Sequence, residues 1–128
     1  MAMRVFKNKW FNRWARNEGI ADTALSNAAA EIVEGKVEAD LGGYLFKKRV
    51  ARPGKGKSGG FRTIIGYRRA KSDRIVFLYA FAKNAKANIS GKEKAALSLA
   101  AGDFLAATDQ QITELLANGA IFEVTCDE

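Results

Sequence analysis

Lys47, Lys48 and Arg49 stand consecutively, Arg62 follows across a stretch rich in glycine and lysine, and Lys83 and Lys86 lie further along. Residues 47–94 carry fifteen lysines and arginines against two acids, Asp73 and Glu93, a net charge of +13. Residues 1–46 balance at zero, and residues 95–128 hold six acids and no lysine or arginine. A block of one sign inside a small protein repels itself, and solubility does not demand it. The chemistry it suits is polyanion binding, with RNA or DNA phosphates as the target. The plainer alternative is a basic sheet surface that opposes edge-to-edge aggregation.

The residue types also exclude chemistry. The 128 residues contain no histidine, which removes histidine acid–base catalysis, Ser-His-Asp triads and the usual zinc sites. No carboxylate cluster offers itself to a metal, and no metal or other cofactor is expected. The single cysteine, Cys126, has no partner for an internal disulfide and fits a reducing compartment. The N-terminal residues lack an apolar signal core and no window approaches a membrane span, so a cytoplasmic protein without membrane contact is expected. With 48% hydrophobic and 27% charged residues, the chain is apolar enough to fold, and its length suits a single domain over residues 1–128.

Ala51 to Ser58 imitates a phosphate loop, with Ala51 in place of the first glycine and Gly56-Lys57-Ser58 at its end. A phosphate loop works because a helix starts at the Lys-Ser pair and aims its N–H groups at the phosphates. Here Gly59-Gly60-Phe61-Arg62-Thr63-Ile64-Ile65 follows, which reads as a strand. Nucleotide hydrolysis is therefore not expected, although the loop lysines remain available to phosphates.

These cations need elements to position them. Trp10, Phe11 and Trp14 mark a first helix over 8–17, and their spacing favours a core role over base stacking. Asp22 is the expected N-cap of a second helix, with Leu25, Ala28, Ala29, Ile32 and Val33 as its apolar stripe and Gly35 beyond its end. Three strands follow at Tyr44–Val50, Phe61–Arg69 and Arg74–Ala82, the last apolar on both faces as a central strand should be. Residues 70–73 make a hairpin connection, and residues 52–60 a mobile loop or wide turn. Ser90-Gly91-Lys92-Glu93 and Thr108-Asp109-Gln110-Gln111 each read as a capping box opening a helix, and Asn118-Gly119 stops the second of these. Residues 120–124 form a terminal strand or extended arm.

Alternation places Phe46 and Lys48 on one face of their strand and Lys47 and Arg49 on the other. Arg62, Ile64, Gly66 and Arg68 share a face opposite Phe61, Thr63, Ile65 and Tyr67, with Arg62 facing solvent. If the three strands are adjacent and antiparallel, Lys47, Arg49, Arg62 and Lys83 converge near one end of the sheet, where an anion would relieve their repulsion.

The segments Ala39–Arg49, Gly54–Ile64 and Phe77–Ile89, with the closing Asn118–Val124, resemble the RelE/ParE superfamily of bacterial toxins from type II toxin–antitoxin systems, and most closely its HigB-like, phage-associated branch. The Gly-Lys-Ser-Gly-Gly-aromatic-Arg stretch and the Phe-Ala-Lys-Asn stretch carry the resemblance jointly, and it covers nearly the whole chain.

The resemblance implies an α+β fold, with N-terminal helices packed on a twisted, mainly antiparallel sheet, and C-terminal helices after it. It implies a ribosome-dependent endoribonuclease that cuts messenger RNA in the A site, neutralised by a cognate antitoxin, itself a small DNA-binding protein. Lys47 and Arg49 match the basic pair on the strand before the loop, Arg62 the arginine after it, and Lys83 a further basic position. Where RelE itself has a C-terminal tyrosine as general base, this chain has Ser90 nearby. In such a site the 2′-OH is the nucleophile. Arg62 would meet the transition-state charge, Lys47 or Lys83 would transfer protons, and Arg49 would position the phosphate. Lys48, Arg52, Lys55, Lys57, Arg68 and Lys86 would hold ribosomal or messenger RNA backbone. A gyrase inhibitor of the ParE type and a non-catalytic nucleic-acid-binding module are the alternatives.

Overall fold

In the computed structural model, residues 3–52, 56–69, 73–82 and 88–125 are described, with backbone only for 52 and 56–59. The described elements run β1 (Arg4–Asn8), α1 (Lys9–Glu18), α2 (Asp22–Val33), β2 (Ala39–Gly42), β3 (Leu45–Arg52), β4 (Gly56–Gly66), β5 (Arg74–Ala82), α3 (Gly91–Ala106), α4 (Asp109–Ala117) and β6 (Ile121–Glu123). The six strands form one sheet in the order β2-β3-β4-β5-β1-β6. β1 runs parallel to β5, and every other pairing is antiparallel. This is an α+β fold.

Adjacent apolar residues explain the layering. Successive strand side chains point to opposite faces, so each apolar pair divides between two cores. Val5, Phe46, Ile65 and Ile75 pack with Phe11, Leu25 and Ile32 of α1 and α2. Their neighbours Phe6, Leu45, Ile64 and Val76 pack with Ala101, Phe104 and Ile112 of α3 and α4. The sheet thus lies between two helical layers, and β5 is buried along most of its length, as its composition predicts.

Caps set the helix ends. The Asn8 side chain accepts from Phe11 N at 2.7 Å to start α1, and Gly19, at φ 71°, ends it. Both expected capping boxes form, at Ser90–Glu93 and Thr108–Gln111. Asp22 does not cap α2: the N-cap is Ala21, without a side-chain bond. The Asp22 carboxylate instead accepts from Lys7 Nζ at 2.9 Å and Thr125 N at 3.1 Å, tying α2 to β1 and the C-terminal segment. A buried lysine of opposite charge wins over a local backbone donor.

The glycine-rich stretch is less of a loop than its composition suggests. β4 begins at Gly56, and pairing with β3 continues to Arg52↔Gly56; residues 53–55 lie outside the described residues. At Gly60 a Cβ would collide with the Val50 carbonyl oxygen, so glycine there admits the neighbouring strand. With a strand where a phosphate loop needs a helix, the Ala51–Ser58 imitation has no nucleotide cradle. Two strands escape the periodicity argument, β1 and β2. Both are short, and β2 ends in a turn whose Gly42, Gly43 and Tyr44 all have positive φ.

Candidate active site

β3 and β4 pair in the register Lys47↔Ile64 and Arg49↔Arg62. Directly paired residues share a face, so Lys47, Arg49 and Arg62 project to the same side. They meet one carboxylate. Glu38, in the bend before β2, is held by a bond from its N–H to the Lys47 carbonyl at 2.8 Å. Its side chain receives Arg49 Nε at 2.7 Å, Arg62 Nε at 2.9 Å and Lys47 Nζ at 3.3 Å. One acid among three cations leaves the group at a net +2.

Burial grades these groups. The Arg62 side chain is 6% exposed, Lys47 12%, Glu38 23% and Arg49 42%. Arg62 is therefore not at the solvent-facing position that alternation assigns it, because the bend carrying Glu38 sits against it. One of its terminal nitrogens, Nη1, is buried without a hydrogen-bond acceptor among the described residues. A guanidinium nitrogen in that condition is a strong hydrogen-bond donor held out of water. Partial desolvation pushes the Glu38 carboxyl up, but hydrogen bonds from Arg49 and Lys47 and the charge of Arg62 outweigh it and hold the carboxyl below its ordinary 4.5. Glu38 is thus an ionised acceptor at neutral pH.

Three of the expected cations come together and others do not. Lys48 points to the opposite face, 6% exposed, where Nζ meets Glu31 at 2.6 Å and the Lys36 carbonyl at 2.7 Å. It anchors α2 to the sheet and is not placed to bind RNA backbone. Arg68 is exposed beside the Tyr44 ring, at the far end of β4, about 20 Å along the chain from Arg62. Lys55, Lys83 and Lys86, and the side chains of Arg52 and Lys57, lie outside the described residues. Ser90 caps α3.

Glu38 lies outside the basic block of residues 47–94, and nothing in its immediate neighbours marks it as a site residue. One signal was present: folding residues 39–50 back on the Gly42-Gly43 turn brings Glu38 level with Lys47 and Arg49.

The profile of the family described as "RelE toxin of RelE / RelB toxin-antitoxin system" matches residues 3–124, which span β1 to the segment after β6. The chain belongs to the RelE toxin family. Comparison with curated proteins finds no match. Membership makes this chain a toxin of a toxin–antitoxin family and implies a cognate antitoxin as partner. Among the described residues, no helix of this RelE-family chain is long and apolar enough to cross a membrane.

Proposed function

We propose that this RelE-family protein is a ribosome-dependent endoribonuclease that cuts messenger RNA in the decoding site by 2′-OH attack. The observation that carries the reading is the convergence of Lys47, Arg49 and Arg62 on the Glu38 carboxylate. Cleavage needs a proton acceptor for the 2′-OH, positive charge for the phosphorane oxygens, and a proton for the departing 5′-oxygen.

Glu38 takes the proton of the 2′-OH as O2′ bonds to phosphorus. Arg62 and Arg49 transfer hydrogen bonds from Glu38 to the phosphate oxygens, and this raises the basicity of the carboxylate when it is needed. Lys47 donates a proton to the 5′-oxygen as the P–O5′ bond breaks, with Lys83 the other candidate donor. The products are a 2′,3′-cyclic phosphate and a 5′-hydroxyl. Water then returns the proton from Glu38 to the lysine. The nucleophile is the RNA's own hydroxyl, so the scheme requires no metal.

The test is brief induction of the protein in a bacterium, with primer extension on cellular messages. Breaks in phase with codons, absent when ribosomes are kept off the message, support the reading. Intact messages with lost DNA supercoiling overturn it in favour of gyrase inhibition.

A further inference from the structure

The outer face of α1 carries a second cationic array that the nuclease scheme does not use. Lys9, Arg13 and Arg16 recur at i, i+4 and i+7, one side of a helix, in steps of about 6 and 4.5 Å along its axis. All three are exposed, and no carboxylate among the described residues pairs with them. Lys9 and Arg13 line two adjoining open clefts of about 430 and 470 Å³. The first reaches Arg16 and Phe122, and the second is walled by Trp10 and Trp14. Trp10 is 45% exposed, unusual for the largest apolar side chain, while Phe11 beside it is fully buried.

This surface connects with the catalytic cluster. The Trp10 ring lies 4.8 Å from Tyr79, and Tyr79 pairs with Ile64, which pairs with Lys47. Two strand spacings, about 10 Å, therefore separate the Lys47 and Tyr79 backbones, and Trp10 continues the row onto α1.

We propose that the outer face of α1 binds single-stranded RNA, with a base stacked on Trp10 and successive phosphates along Lys9, Arg13 and Arg16. Aromatic faces beside a line of cations are what unpaired nucleotides use. A duplex hides its base faces and would leave the indole unmatched. An acidic peptide would neutralise the cations but offers no flat ring to Trp10. The proposal rests on the nuclease reading only in choosing RNA over DNA.

The probe is a short single-stranded oligoribonucleotide, 2′-O-methylated so that it cannot be cleaved, titrated into the full chain. Its labelled form reports binding by anisotropy, and the two tryptophans, both on α1, report stacking by quenching. The expected result is salt-dependent binding with quenching. Trp10→Ala should weaken binding about ten-fold or more. Joint replacement of Lys9, Arg13 and Arg16 by Ala should reduce the salt slope by about two units, at roughly 0.7 per phosphate. Circular dichroism melts check that each variant folds, and Trp10→Phe, which keeps a ring, should lose less than Trp10→Ala.

Absence of binding, parental affinity and slope in the α1 variants, equal quenching by polyglutamate, or equal binding of duplex RNA each overturns the proposal. Message cleavage followed with the same variants separates the two readings. Cleavage with unaffected α1 variants defeats only this surface. No cleavage, with RNA affinity lost in the α1 variants, defeats only the nuclease.

Discussion

Arg62 and Glu38 are 24 residues apart in sequence, yet Arg62 Nε lies 3.0 Å from one oxygen of the Glu38 carboxylate and 2.9 Å from the other. The contact places an ionised acid in the middle of a cationic cluster, with Arg49 and Lys47 on the same carboxylate.

Glu38→Gln keeps the size and one acceptor oxygen of the side chain but removes the base. Cleavage on programmed ribosomes should fall by about 10²–10⁴-fold. Ribosome binding should hold or tighten, because the cluster gains a net positive charge. Single-turnover rates measured beside binding isotherms check the split. Full activity in Glu38→Gln would remove Glu38 from the chemistry.

Arg62→Ala should reduce cleavage by about 10²–10³-fold, and Arg62→Lys should recover only part, since an ammonium lacks the planar fork. Arg62 is 5% exposed, so some loss of stability accompanies the change and melts must be recorded with the rates. Toxicity equal to the parent at equal soluble expression would refute the assignment.

Lys48→Met separates structure from function on the same strand. It removes the contacts to Glu31 and the Lys36 carbonyl. Glu31 retains access to water, its side chain 32% exposed, so the cost is about 1–2 kcal/mol in a denaturant melt. Message cleavage and its salt dependence should stay at the parental level. A large fall in RNA affinity would return Lys48 to the binding surface.

Acid should destabilise the fold in a defined direction. The Glu38, Asp22 and Glu123 carboxyls are all held below their ordinary values of 4.5, 3.8 and 4.5. Desolvation pushes Glu38 and Asp22 up, but the cations on Glu38, and Lys7 together with the Thr125 hydrogen bonds on Asp22, outweigh it, and Arg4 lowers Glu123 directly. Folded values below unfolded ones mean that this stability is fully present above the unfolded values and is lost as pH falls through the folded ones. Melts taken from neutral pH downward should drop from about pH 4.5, and Glu38→Gln should flatten part of the slope.

Lys55→Ala with Lys57→Ala tests the glycine- and lysine-rich segment before Arg62. If these lysines hold RNA phosphates, the salt slope of ribosome association falls by roughly one to two units, while cleavage of already bound message changes less. An unchanged slope would show that this segment does not touch RNA.

Local chemistry in the sequence determined much of this protein. The capping boxes at Ser90 and Thr108 and the run Ile75–Phe81 act over a few residues, so helices α3 and α4 and strand β5 were legible directly. Alternation likewise separated Lys47 and Arg49 from Lys48, because strand geometry has a period of two. Tertiary structure alone decided what those side chains meet. Glu38 lies in a bend, where no period dictates side-chain direction, and its place beside Arg62 depends on how β2, β3 and β4 assemble. Arg62 became a buried group for the same reason. Short strands such as β1 and β2 carry too few residues for a period to register, and pairing with β5 and β3 is what makes them strands. The exposure of Trp10 beside the fully buried Phe11 was also settled by packing, since helical spacing assigns both to one apolar stripe and only the edge of β5 decides which ring is covered.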